Sequence, residues 1–241
     1  TPTLAQIHES ARIKWDSLLS FPEPASMIQS AGVSGVSDVR VEPLIQSRWG
    51  QTSVNGNACY NYYTPPYSNG DPDNYPCGCV ATAAAQLIRF HEYAAGGYVW
   101  NDMPLNPSLG STLLQRQAVG ELCYDVAQAV HTSYGSGGSS ASLADASEQL
   151  RVTFNYANSI YFYNGSGIMT SLTDMVNPNL DASFPVLLAL DGASIGHAVV
   201  CDGYGYNYST SYHHLNMGWD GNQDAWYNLP DVEASPYTFN C

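Results

Sequence analysis

Lysine is almost missing from this chain of 241 residues: Lys14 is the only one. Seven Lys and Arg face 21 Asp and Glu, for a net charge of −14. Such a surface cannot neutralise a phosphate backbone, so nucleic-acid binding is excluded as a function class. No apolar run approaches the roughly 18 residues of a membrane span. Thr1-Pro2-Thr3 shows neither the basic nor the apolar region of a signal peptide, so any such leader is read as already removed. There is no internal repeat. The cysteines of Pro76-Cys77-Gly78-Cys79 have no partner Cys-x-x-Cys pair, which leaves a zinc centre two ligands short. Asp71-Pro72-Asp73-Asn74 and the Asp220 to Asp224 stretch do not match an EF-hand loop and read as solvated turns. No metal and no cofactor are expected.

What is present suits a folded globule. Hydrophobic residues make up 44% of the chain and charged ones 12%, too apolar for disorder and too weakly charged for a halophile. Eighteen tyrosines, with many Asn, Ser and Gly, fit an extracellular surface, and secretion is the expected location. Residues 4–19 have the periodicity of an amphipathic helix, with Leu4, Ile7, His8, Ala11, Trp15 and Leu18 near one face. Phe21-Pro22-Glu23-Pro24 ends it. Residues 52–78 form a long loop, of the kind that is functional or bridged, and Cys59 and Cys77, which flank its polar Pro/Gly/Asn-rich part, are expected to form a disulfide. Gln115–Tyr134 and Leu143–Phe154 read as helices. From Ile160 onward β-signals dominate, with Val186-Leu187-Leu188-Ala189-Leu190 a buried strand. Helices first and strands later give an α+β fold.

Two residues carry the chemistry. Cys79 opens Gly78-Cys79-Val80-Ala81-Thr82-Ala83-Ala84-Ala85-Gln86, a segment of high helix propensity. A thiol at a helix start meets unpaired N–H groups and the positive end of the helix dipole, which favour the thiolate. The same N–H groups suit an oxyanion. The other reading is a small buried hydrophobe. His197 leads Gly196-His197-Ala198-Val199-Val200-Cys201, a strand that places His197, Val199 and Cys201 on one face. Asp202-Gly203 then reads as a turn. Six histidines are present, and a hydrogen-bonded core histidine is the alternative here. In His214-Leu215-Asn216-Met217-Gly218-Trp219, the Asn216 side chain is the best-typed group to orient an imidazole, with Trp219 shielding the pair from water.

In their order, Trp49-Gly50-Gln51, Gly78-Cys79-Val80-Ala81-Thr82-Ala83 with Gln86 and His91, Ser133 to Ser142, Gly196-His197-Ala198 and His214 to Trp219 resemble the streptopain family of secreted, papain-like bacterial cysteine peptidases. The resemblance implies a two-lobed fold, a helical lobe carrying the cysteine and an antiparallel β lobe carrying the histidine. It implies a cysteine endopeptidase, made as a zymogen, that acts as a monomer on protein or peptide substrates and needs only a reduced thiol. Cys79 would be the nucleophile and His197 the general base and then acid. Gln51 would supply an oxyanion donor beside the Cys79 N–H. Gly196, Tyr134, Ser139, Ser140 and Ser142 would line the substrate cleft. The motif begins near residue 42, so residues 1–41 are an N-terminal arm or propeptide remnant and 42–241 the catalytic domain. The chain departs from the family's Asn-Trp-Gly-Trp at Met217, and the Asn216 side chain, or else the Trp219 ring, is expected to contact His197 and take over its orientation. Two rival readings use the same fold: another acyl-transfer enzyme (amidase or transglutaminase-like), and a binding protein that has lost the chemistry.

Overall fold

The computed structural model describes residues 31–93, 97–162, 171–193 and 195–241. The expected helix over residues 4–19 lies outside them. In chain order the elements are β1 (Asp38–Val41), α1 (Cys79–His91), a 3-10 turn (Trp100–Asp102), α2 (Leu113–Ala129), α3 (Leu143–Val152), α4 (Leu172–Asp181), β2 (Val186–Gly192), β3 (Gly196–Asn207), β4 (Thr210–Asn216), β5 (Ala225–Tyr227), β6 (Asp231–Ala234) and β7 (Tyr237–Asn240). Helices and an antiparallel sheet make this a mixed α+β fold.

Helix α1 starts where the sequence places it. Gly78 has φ 98°, a conformation that L side chains avoid. A Cβ there would lie 2.9 Å from the Ser139 carbonyl oxygen. Val80 through Ile88 are all buried. The next two helices are set by their caps. Thr112 and Gln115 form a reciprocal capping box at the start of α2. The Ser142 hydroxyl accepts the Ala144 N–H at 3.1 Å to start α3.

Helix α2 stops at Ala129, short of the expected Tyr134, because His131 turns to φ 53°. Helix α4 interrupts the region after Ile160 in which β-signals dominate. Its signals are a Ser171 hydroxyl that accepts the Asp174 N–H and buried residues at Val176 and Leu180, one helical turn apart.

The seven strands form one antiparallel sheet in the order β5-β4-β3-β2-β7-β6, with β1 also paired to β3. Strand β3 is the axis. Its first half pairs with β2 and its second half with β1. Asp202-Gly203 is not a turn: β3 runs on to Asn207, and the β3–β4 register shifts between Cys201 and Gly203, as at a β-bulge. Asp202 is fully buried there; its carboxylate accepts from His214 Nδ1 at 2.6 Å and from the Ile45 N–H at 2.9 Å.

Alternation along β3 divides the core. Ala198 and Val200 pack with the α1 side, alongside Ala83, Ala84 and Leu187. Val199 and Cys201 pack with Leu188, Leu190, Leu215, Met217 and the α4 residues Val176 and Leu180. The segment before residue 42 is tied to the sheet. Val33 exchanges both main-chain hydrogen bonds with Trp226, at 2.9 and 3.0 Å, and β1 pairs with Tyr204 to Tyr206.

Candidate active site

Cys79 is the first residue of α1. No side chain caps this helix and its first turn has no acid, so the N-terminal N–H groups face the thiol unopposed. The main-chain N–H groups of Ala198, Val80 and Cys79 itself lie near the sulfur and favour its ionised form. Ala198 is free to donate because β4 pairs with β3 only as far as Val200, opposite Asn216. The nucleophile candidate therefore sits against the residue that follows His197.

Burial is the largest influence on both groups. It pushes the Cys79 thiol above its ordinary value, and the three N–H groups oppose that. It lowers the His197 imidazole, and the hydrogen bond to Met217 opposes that. Desolvation thus favours the neutral form of each group taken alone. A thiolate and an imidazolium formed together would offset much of that cost by mutual attraction.

His197 is buried, and its Nε2 lies 2.8 Å from the main-chain oxygen of Met217. That oxygen accepts only, so Nε2 carries the proton and Nδ1 is the nitrogen left for proton transfer. The Trp219 ring stacks on the imidazole, with centroids 4.7 Å apart at 29°. Phe239 stacks less closely, at 5.8 Å and 26°.

Asn216 does not touch the imidazole, which corrects the expectation that its side chain orients His197. Asn216 pairs with Val200, so it lies on the face of the sheet opposite to His197. Its amide is committed elsewhere: Nδ2 donates to the Ser47 carbonyl at 2.8 Å, and Oδ1 accepts from Gln86 Nε2 at 2.9 Å and from the Gly218 N–H at 3.1 Å. A carbonyl of the next residue does the work assigned to the asparagine side chain. Nothing in the sequence advertised it, since every residue has one.

Gln51 is held beside the nucleophile through its backbone. Its carbonyl accepts the Cys77 N–H at 2.9 Å, and the preceding carbonyl, Gly50, accepts the Thr82 hydroxyl of α1 at 3.0 Å. Within the Ser133 to Ser142 segment, Ser133 and Ser140 pair across a turn. Ser139 is the member brought against Gly78. The Ser142 hydroxyl caps α3, and the Tyr134 hydroxyl accepts from Gln128 at 3.1 Å. Gly196, at the exposed start of β3, has no atom closer than 3.8 Å to where a Cβ would stand, which leaves space on that face of the strand.

The expected Cys59–Cys77 bridge is absent, and all six cysteines are free. Cys59 and Cys77 are buried, but the Cys77 sulfur faces the Thr82 hydroxyl, at 3.3 Å, and the Cys123 thiol of α2. The loop between them is organised instead by polar side chains. Asn61 Nδ2 donates to the carbonyls of Pro72 and Asn74. Among the described residues no group of three His, Cys, Asp or Glu is placed to hold a metal ion, and no helix is long and apolar enough to cross a membrane.

This arrangement has relatives. Streptopain of Streptococcus pyogenes serotype M28 (strain MGAS6180) is 26% identical over 242 residues, an alignment that takes in 85% of this chain and 60% of streptopain. Thiol protease/hemagglutinin PrtT of Porphyromonas gingivalis is 30% identical over 169 residues, 60% of this chain and 19% of PrtT. The chain therefore spans under two thirds of the length of these curated relatives. Among solved structures, the active wild-type interpain A cysteine protease of Prevotella intermedia superposes with a TM-score of 0.71 at 25% identity, over 83% of this chain and 91% of that one. A prointerpain A fragment from the same organism gives 0.68 at 23% identity, over 95% of this chain and 78% of that one. The model of the Peptidase C10 family matches residues 49–98 and 92–227. That span takes in Gln51, Cys79, His197 and Trp219 together, and it makes this chain a member of the Peptidase C10 family.

Proposed function

We propose that residues 42–241 are the catalytic domain of a secreted cysteine endopeptidase, active as a monomer on protein or peptide substrates. The observation that carries the reading is the Cys79 sulfur. It lies at an uncapped helix start with the Ala198 N–H beside it, next to an imidazole already anchored through Nε2. In the papain-like layout, the helices around α1 form one lobe and the sheet around β3 the other, with the cleft between them.

In this mechanism the Cys79 thiolate attacks the scissile carbonyl carbon, and the carbonyl π electrons move onto oxygen. The Gln51 side-chain amide and the Cys79 N–H stabilise that oxyanion. The C–N bond breaks, and Nδ1 of the His197 imidazolium gives its proton to the leaving amine. A thioester is left on Cys79. Neutral His197 then takes a proton from water, hydroxide adds to the thioester, and the acid product leaves with the thiolate restored. Gly196 and the turn around Ser139 and Ser140 border the path of the substrate, with Tyr134 and Ser142 shaping the turn from behind.

Residues 31–41 are read as an arm of the mature domain, supported by the Val33–Trp226 and β1–β3 pairings; any propeptide would then precede them. The secreted location is supported by the acidic, tyrosine-rich composition.

The test is Cys79→Ala. Hydrolysis of an internally quenched peptide should vanish while circular dichroism and thermal melting stay those of the parent. Hydrolysis that survives the substitution overturns the assignment of the nucleophile.

A further inference from the structure

Gln86 stands seven residues, two helical turns, after Cys79 on α1. It is fully buried, in a helix whose other buried residues are Thr82 and otherwise only alanine, valine, leucine and isoleucine. A buried amide is costly unless its hydrogen bonds are made. Here they are made to the segment before Gln51 and to the end of β4.

Its Oε1 accepts from the Ser47 hydroxyl at 2.9 Å and from the Trp49 N–H at 3.1 Å. Its Nε2 donates to Asn216 Oδ1 at 2.9 Å. The orientation of both amides follows from their partners. The Trp49 and Gly218 N–H groups only donate and the Ser47 carbonyl only accepts, so the oxygens and nitrogens of Gln86 and Asn216 can lie only one way.

The line continues to the imidazole. Asn216 Oδ1 also accepts the Gly218 N–H, at 3.1 Å. That N–H and the Met217 carbonyl belong to one trans peptide and point in opposite directions within its plane. With the N–H held by Asn216, the carbonyl faces His197 Nε2 at 2.8 Å. On its other side, Gln86 holds the main chain two residues before Gln51. One side chain on the nucleophile's helix thus touches the segment that leads to the oxyanion donor and, through one asparagine and one peptide, the general base.

We propose that Gln86 is a positioning residue of the catalytic machinery: through Asn216 and the Met217–Gly218 peptide it sets the placement of His197 relative to Cys79. The proposal rests on the reading of Cys79 and His197 as the reacting pair. Gln86 itself meets neither substrate nor the reacting atoms.

Gln86→Met keeps the volume and removes both polar contacts. It should lower kcat about 10- to 100-fold with KM changed less than about threefold, because misplacement by an ångström or less is felt at the chemical step. Rates are taken per active site, counted with a covalent thiol-directed titrant, so that loss of folded protein does not count as loss of catalysis. Gln86→Glu supplies a readout that packing alone would not move. Ionised, the carboxylate still accepts from Ser47 and Trp49 but sets a lone pair against Asn216 Oδ1. Protonated, it donates to that oxygen as the amide does. Burial raises the pKa of such a carboxyl, so the kcat profile should gain an ionisation on its alkaline side, with activity recovering as pH falls through it. The proposal is overturned if Gln86→Met has the parent's kcat per titrated site, or if the Gln86→Glu profile runs parallel to the parent's. Hydrolysis surviving Cys79→Ala is a separate outcome that removes the underlying reading, whatever the Gln86 variants do.

Discussion

The Nε2 atom of His197 is anchored 2.8 Å from the main-chain oxygen of Met217, a group that any residue at position 217 would provide. This accounts for a methionine where the family pattern has tryptophan. The Met217 side chain has a different task, fully buried among Val199, Leu215 and Tyr227. Met217→Ala should therefore cost about 2–5 kcal/mol of stability, as large-to-small core changes do, while kcat of the folded enzyme stays within about twofold. Trp219→Ala should do the reverse. Removing the stacked ring should lower kcat/KM about three- to tenfold, on the scale of an aromatic contact, and Trp219→Phe should recover most of it. Denaturant melts beside steady-state kinetics separate the two. A kcat loss in Met217→Ala as large as in Trp219→Ala would show that the carbonyl alone does not hold the imidazole.

Gln51 is placed by its backbone and reaches the reaction only with its amide. Gln51→Ala should lower kcat about 10²- to 10³-fold, the usual cost of one oxyanion donor, with KM nearly unchanged. A variant that raised KM at constant kcat would mark Gln51 as a substrate-binding group instead.

Asp224 gives a pH dependence whose sign can be worked out. Its Oδ1 accepts the Met217 N–H at 2.8 Å. Burial, more than any neighbour, raises its carboxyl from 3.8 to about 6, against the lowering effects of that N–H, His214 and Arg48 and with the raising effect of Asp202. The folded value lies above the unfolded one, so the folded protein holds the proton more tightly. The stability this gives is present in full below the ordinary carboxylate value and is lost as pH rises through about 6. Asp224→Asn keeps the acceptor for Met217 and never ionises. It should be more stable than the parent by about 3 kcal/mol at neutral pH, and the gap should close below about pH 4. Urea unfolding at the two pH values measures it; an advantage of equal size at both would refute the ionisation argument.

Much of this molecule could be read along the chain, because the features that specify it are local. Helix α1 begins at Cys79 because a glycine at φ 98° precedes a run of alanines, and both facts are written in a few consecutive residues. The helices-then-strands order and the buried strand at Val186 to Leu190 follow from composition and period in the same way. Helix α4 was equally local, in the Ser171 cap and the Val176–Leu180 spacing, but it was outweighed by the β-rich sequence around it. Tertiary structure decided what depends on direction and on backbone atoms. A pairing register puts Asn216 on the face away from His197, and a one-residue shift in register places every side chain on the other face. A main-chain carbonyl orients the imidazole, and backbone groups have no residue type for a sequence to show. The free state of Cys59 and Cys77 depends on where Thr82 and Cys123 arrive from other parts of the chain. Residue types determine which chemistry is available, and only the fold determines which of those groups face one another.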